Sequence, residues 1–181
     1  MHRNQIISLL NSYLTLYPKE LDLVNSFKDF INTYDDCFER TQALGHLTAS
    51  ACLLNSNLDS MFLLYHKKLK KWLQPGGHAD GNTDLFSVAL TEVHEETGLC
   101  DLNPLMQGIF DLDIHQIPAF NGQSAHLHYD CRFLLNTSLD KFMANNESID
   151  AAWVKLDEVS KLTSEESILR MIRKTKAFLN R

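Results

Sequence analysis

The sequence is short of three things, and each shortage excludes something. It has no unbroken apolar run near the ~18–20 residues that a membrane span requires, so no transmembrane helix is expected. Near the N-terminus Ile6, Ile7, Leu9 and Leu10 are cut off by Asn11 and Ser12, with no small-residue cleavage site behind them, which argues against a signal peptide. The four cysteines, Cys37, Cys52, Cys100 and Cys131, lie far apart without a C-x-x-C pair. That spacing excludes a cysteine-built zinc site and favours reduced thiols in a cytoplasmic protein over a disulfide frame. Basic charge is also short: 17 Lys and Arg against 23 Asp and Glu leave a formal net charge of -6, the opposite of a general nucleic-acid binder. A small phosphorylated substrate stays allowed, because a bound divalent cation reverses the local field. The one basic cluster, Lys67, Lys68, Lys70 and Lys71, reads as a solvated turn between strands; attraction of an anionic substrate is the sharper alternative.

What is present belongs to an ordinary globular chain. Its 181 residues, 44% hydrophobic and 22% charged, suffice for one domain with an added segment. Residues 1–45 read as a helical extension. Ile6, Leu9, Leu10, Tyr13 and Leu14 recur at helical spacing before Pro18 breaks the pattern. A second helix starting near Lys19 offers Leu21, Val24, Phe27, Phe30 and Ile31 as its buried face. This extension is either a small subdomain or a dimerisation arm, the second of which would make the chain a homodimer.

From His46 to the C-terminus the pattern is that of one further domain, 46–181. His46–Leu54 and Met61–His66 read as strands joined by a polar turn at Asn55–Asp59. A Pro75-Gly76-Gly77 turn and a helix over about Asp84–Thr97 follow. Ile109–Ile117, His126–Leu135 and Ala151–Leu156 are further strands. A last helix, about Glu165–Leu179, buries Ile168, Leu169, Ile172 and Phe178. Strands mixed with separated helices make an α/β layered domain. No internal repeat or low-complexity tract occurs.

The chemistry concentrates in Gly76–Leu99, GGHADGNTDLFSVALTEVHEETGL. On its helix, Phe86, Ala89, Leu90 and Val93 share a core-facing stripe, while Glu92, Glu95 and Glu96, at i, i+3 and i+4, gather on another face. Thr83 is placed to cap the start and Gly98 to end the helix in the left-handed conformation. Three neighbouring carboxylates repel one another, by a few tenths of a kcal/mol per pair in isolated helices. A solvated face tolerates that cost. A hard divalent cation gives it a purpose, since Mg²⁺ takes oxygen ligands and bridges carboxylates to phosphates. The paired glycines would let backbone approach the same metal or phosphate closely.

The segment resembles the Nudix box, G-x5-E-x7-R-E-U-x-E-E-x-G-U, in which U is a bulky aliphatic residue. Gly77, Glu92, Val93, Glu95, Glu96, Gly98 and Leu99 fall on their places with the spacing intact. Thr83 replaces the first glutamate and Thr91 the arginine. The resemblance implies a Nudix-like α/β/α sandwich with a mixed β-sheet, here preceded by the N-terminal helical segment. It also implies a metal-dependent hydrolase that cleaves a diphosphate bond in a nucleotide-like small molecule by water attack at phosphorus. Its metal ligands would be Glu92, Glu95, Glu96 and the Gly76 carbonyl, holding Mg²⁺ or Mn²⁺. The general base would be Glu92, Glu96 or Glu147, the last in the polar run before the strand that holds Trp153. The missing arginine ordinarily orients a catalytic glutamate, so Thr91 puts turnover in question more than metal binding.

Histidines add a second pattern. Asp111, Asp113 and His115 alternate along one strand, and His126, His128 and Asp130 along the next. His78 and Asp80 follow the paired glycines. Gly77, His78, His126 and His128 are therefore candidates to contact substrate, or to form an additional metal site. The plainer reading is the wet face of a sheet. Aromatic Phe120, Phe142 and Trp153 are candidates to stack on a base or simply to pack. Competing functions are a Nudix-fold nucleotide sensor without hydrolysis, favoured by Thr83 and Thr91, and an isopentenyl diphosphate isomerase, disfavoured because no cysteine lies within the box. A purely structural acidic helix leaves the glycine spacing unexplained.

Overall fold

The apolar spacing of the first third of the chain becomes two helices, α1 (Asn4–Leu16) and α2 (Leu21–Thr33), separated by a 3-10 turn at Pro18–Glu20 where proline cannot continue the helix. The computed structural model describes residues 2–67, 69–119, 122, 124–143 and 148–180. After α2 come β1 (Gly45–Leu54), β2 (Ser60–His66), β3 (Lys71–Leu73), β4 (Gly76–His78) and α3 (Leu85–Thr97). They are followed by β5 (Leu102–Pro104), β6 (Asp111–Ile117), β7 (His126–Thr137), β8 (Ser148–Lys155), α4 (Val159–Leu162) and α5 (Glu166–Leu179). Hydrogen-bonded strand order is β3-β2-β1-β7-β5, with β4 on β1, β6 on β7 and β8 on β2. The class is α/β, a mixed sheet with flanking helices. Among the described residues no helix is long and apolar enough to cross a membrane.

The chain divides into two compact units. The first comprises Met1–Ser50, Gly76–Ala89 and Met106–Phe133. Its core joins Ile6, Leu10 and Tyr13 of α1 and Val24, Phe27, Phe30 and Ile31 of α2 to Leu47, Ala49, Leu85, Val88, Leu112, Cys131 and Phe133. The N-terminal helices thus bury their apolar stripes in the same cluster as β1, β6, β7 and the start of α3. Phe30 stacks on Tyr129 at 4.0 Å between ring centroids, and Phe27 meets the same ring edge-on at 5.3 Å. Each such side chain taken fully from water stabilises by about 1.5–3 kcal/mol. Leu21, expected in the buried face of α2, is 47% exposed, because it sits at the first position of the helix, beside the 3-10 turn.

The second unit comprises Ala51–Pro75, Leu90–Leu105 and Leu134–Arg181. Here β2 pairs antiparallel with β3 and with β8, and β5 pairs with the end of β7. The Asn55–Asp59 turn forms as expected: the Asn55 side chain accepts the Asp59 and Ser60 amides at 3.1 Å, and Leu58 takes a positive φ of 57°. Of the lysine cluster, Lys67 and Lys70 fall in the turn between β2 and β3 and Lys71 opens β3, while Lys68 lies outside the described residues. Helix α5 buries Ile168, Met171, Ile172 and Thr175. Leu169 and Phe178 are half-buried instead, since the face closed by Met171 and Thr175 is rotated from the one that pure hydrophobicity selects.

Two local expectations around the glycine-rich segment are corrected. Gly76 and Gly77 belong to β4, which pairs with β1 in the register Thr48↔His78, Ala49↔Gly77 and Ser50↔Gly76. Glycine is needed there for closeness, because a Cβ on Gly76 would lie 2.2 Å from Ser50 Cβ and 2.8 Å from the Ala49 carbonyl oxygen. At the start of α3 the cap is Asp84, whose side chain accepts the Ser87 amide at 3.2 Å, and the Thr83 expectation fails by one position. The helix end is as anticipated: Gly98 has φ 71° and its amide reaches the His94 carbonyl at 2.8 Å.

Replacing Gly76 with Ala should therefore force β4 off β1. The expected cost is about 1–3 kcal/mol or more, read as a lower thermal midpoint by circular dichroism. An unchanged midpoint would show that the two strands are free to separate.

Candidate functional site

In the first unit the polar alternation of three strands converges on one buried face. His46, Thr48 and Ser50 alternate along β1 and so point the same way. On β6 and β7 the register sets Asp111 opposite Arg132, Asp113 opposite Asp130 and His115 opposite His128. Arg132 is 2% exposed and is surrounded by carboxylates: Asp130 at 2.8 Å, Asp113 at 3.2 Å and Asp111 at 3.3 Å. Asp130 also accepts hydrogen bonds from the Thr48 hydroxyl at 3.0 Å and the Ser50 hydroxyl at 2.7 Å. Asp113 holds Nδ1 of His115 at 3.0 Å. Burial alone would lower the Arg132 pKa, but Asp130, Asp113 and Asp111 outweigh it and hold the guanidinium firmly protonated. The alternating residues of β6 and β7 are thus no wet face. Asp111 and Asp130 are buried and serve to neutralise a buried cation.

Next to this network lies a cluster of imidazoles. His46 is 1% exposed, and its ring centroid lies 4.9 Å from those of His78 and His126 and 4.8 Å from that of His128. His78 and His128 are 5.0 Å apart, and His115 adjoins His128 at 5.4 Å. One nitrogen from each of His46, His78 and His128 lies within 4.8 Å of the other two. Desolvation pushes all three pKa values down, that of His78 to about 4 and that of His128 to about 2, so each ring is neutral near pH 7. The backbone of Gln42 weakly favours a protonated His46, yet neither ring nitrogen of His46 has a partner in hydrogen-bonding geometry. Beyond β4, Arg40 grips the Asp80 carboxylate with two nitrogens, which lowers the Asp80 pKa and holds that residue in a left-handed conformation at φ 47°.

The glutamates belong to the part of α3 that lies in the second unit. Glu96 is 9% exposed, Glu92 is half-buried and Glu95 is exposed. All three occupy the last two turns of the helix, where the macrodipole already presents negative charge. Thr97 fixes the exit by donating its hydroxyl to the Val93 carbonyl at 2.6 Å and accepting the Leu99 amide at 3.1 Å. In the same unit Phe142 and Trp153 both pack edge-on against Phe62, at 4.8 and 5.1 Å, and the indole nitrogen donates to the Asp140 carbonyl at 2.9 Å. Those two aromatics are packing residues. Glu147 and Phe120 lie outside the described residues.

Of the residues singled out in the sequence, His78, His126 and His128 come together, and Gly76 and Gly77 adjoin His78 on β4. His46 and Arg132 were missed as site residues. The signal for His46 was present in the period-two run His46, Thr48, Ser50 at the head of an otherwise apolar strand. Nothing in the sequence distinguishes Arg132 from an exposed strand arginine until Asp111, Asp113 and Asp130 are placed around it.

No protein-family model matches the sequence, and no curated protein does. Solved structures do match. A C. elegans Ap4A hydrolase, solved as a binary complex, has a TM-score of 0.61 at 19% identity, covering 74% of this chain and 97% of that one. A Nudix-family hydrolase from Clostridium perfringens gives 0.55 at 21% identity, covering 74% and 97%. The Nudix domain of Shewanella oneidensis NrtR, solved with ADP ribose, gives 0.53 at 17% identity, covering 84% and 97%. The chain has the Nudix fold.

Arg132→Met should leave Asp111 and Asp130 buried without their cation and cost about 3–5 kcal/mol, measured as a drop in the urea midpoint. Adding Asp130→Asn should recover part of that loss. A single variant as stable as the parent would show that the carboxylates find other partners.

Proposed function

We propose that this protein is a metal-dependent pyrophosphohydrolase that cleaves the diphosphate bond of a nucleoside diphosphate linked to another moiety. The observation that carries the reading is the burial of Glu96, with Glu92 half-buried beside it, in a Nudix-spaced acidic triplet on a Nudix fold. A merely solvated acidic face would leave all three carboxylates in water. A carboxylate taken out of water at the negative end of a helix needs partners that offset its charge, and a bound cation would be one of them. By residue type Glu92, Glu95 and Glu96 suit a hard divalent ion, and the resemblance to the motif would add the Gly76 carbonyl as a ligand. Bound Mg²⁺ or Mn²⁺ would neutralise the diphosphate and acidify the attacking water.

The chain's own groups supply the rest. Glu92 or Glu96 accepts the proton of the attacking water, with Glu147 as the alternative base. Gly77, His78, His126 and His128 are proposed substrate contacts, the imidazoles through a ring N–H donated to a substrate oxygen. The substrate is a small nucleotide-like molecule. The Ap4A hydrolase and the NrtR Nudix domain with ADP ribose show the kinds of molecule that related folds accommodate. The acidic balance of the chain speaks against general nucleic-acid binding, and the cysteine pattern fits a cytoplasmic setting.

The test is a panel of dinucleotides, nucleotide sugars, ADP ribose and nucleoside triphosphates with Mg²⁺ or Mn²⁺, read as phosphate released after phosphatase treatment. Metal-dependent release on one class, falling by about a hundredfold or more in Glu96→Gln, is the expected result. Binding without turnover across the panel would favour the sensor reading instead. Thr91 is exposed, so arginine fits there without a steric cost. A charge-assisted hydrogen bond is worth about 1.5–3 kcal/mol, so Thr91→Arg should raise kcat by roughly tenfold or more, with little change in KM.

A further inference from the structure

The histidine cluster of the first unit has a chemistry of its own. His46 is buried to 1% exposure with both ring nitrogens unpartnered, and Nε2 of His128 is likewise buried without a partner. With one nitrogen of the half-buried His78 within 4.8 Å of both rings, these unsatisfied buried nitrogens make an unfavourable arrangement on their own. Protonation does not relieve it, because charged rings at this spacing would repel one another in a poorly solvated place. Neutral imidazoles offer lone pairs, and lone pairs converging on one point call for a cation.

We propose that His46, His78 and His128 bind a divalent transition-metal ion of the Zn²⁺ class, at a site separate in its ligands and chemistry from the glutamates of α3. All three donors are imidazoles, which suit Zn²⁺, Cu²⁺ or Ni²⁺ and do not suit Mg²⁺. The donors come from β1, β4 and β7, so the ion would tie three strands of the first unit together. Zinc–nitrogen bonds of about 2.0–2.1 Å in a tetrahedron place the nitrogens ~3.4 Å apart. The trio closes by roughly an ångström to reach that spacing. His126 is the flanking candidate for the fourth position: its Nδ1 is engaged by the Ser124 carbonyl at 2.9 Å, which leaves Nε2 as the donor atom. His115 is oriented in the same manner by Asp113, itself held by Arg132, and borders the site beside His128. The half-buried rings of His78 and His128 provide the approach from solvent.

This site stands without the hydrolytic reading, and its test involves no substrate. Protein stripped with a chelator is titrated with Zn²⁺ in excess Mg²⁺ by calorimetry, and with Co²⁺ by its visible d–d absorption. The expected result is a single Zn²⁺ per chain that Mg²⁺ does not displace, a Co²⁺ spectrum of nitrogen coordination, and a higher thermal midpoint with Zn²⁺. Binding should be lost in His46→Phe, which keeps the buried volume filled, and in His78→Ala, at a half-buried position that tolerates change. Both variants are checked for the parent circular dichroism spectrum. Glu92→Gln and Glu96→Gln should keep the Zn²⁺ stoichiometry, which separates this site from the proposed hydrolytic one. Absence of Zn²⁺ binding by the parent, binding that persists in folded His78→Ala, or binding lost only in the glutamate variants would each overturn the proposal.

Discussion

A guanidinium held among three carboxylates is the constraint on which the first unit depends. Arg132 cannot be buried unless Asp130 precedes it by two residues on β7 and Asp111 and Asp113 face it from β6. A slip of one residue in that pairing would send every one of these charges to the wrong side of the sheet. The network therefore selects a single register, at a cost in desolvation that an apolar core would not incur. It then reaches outward. Asp130 positions Thr48 and Ser50 on β1, and Asp113 positions His115 at the border of the histidine cluster. Charge neutralisation in the interior thus becomes the scaffold on which the imidazoles are aimed.

The chain carries two donor sets of opposite character. Glu92, Glu95 and Glu96 are hard oxygen donors on one helix, suited to a cation that keeps much of its water and exchanges readily with a phosphate-bearing ligand. His46, His78 and His128 are borderline nitrogen donors on three strands, suited to an ion that stays. Ligand type would thus bias the two sets toward different ions, with geometry and metal availability completing the selection.

The elements with strong periodicity were legible in the sequence: α1, α2, β1, β2, α3 and α5 all lie within a few residues of where their apolar spacing puts them. The acidic triplet was legible for the same reason, since a helix fixes which of its residues share a face. Short elements were not. Strands β3 and β5 and helix α4 span only a few residues each and carry no period long enough to read. Gly76 and Gly77 read as a turn because glycine permits one, whereas the structure uses them to bring β4 against Ser50. The histidine site was half legible: alternation found His126 and His128, but His46 lies 80 residues earlier in the numbering than its neighbour His126, and only the tertiary fold brings their rings within 4.9 Å.

The first unit draws on three separated stretches of chain, the last of which ends at Phe133. That arrangement has a consequence for synthesis. Helices α1 and α2 are made before the rest of this unit, and the side chains that cover Phe27, Phe30 and Ile31 include Leu112, Cys131 and Phe133, which are made about a hundred residues later. At ~5–20 residues per second the interval is on the order of five to twenty seconds. For that time the apolar faces of these helices have only part of their cover, from residues such as Leu47, Ala49 and Leu85, and present the kind of surface that chaperones recognise and that aggregation exploits. The feature that gives the mature protein its core also makes its birth the most vulnerable moment of its life.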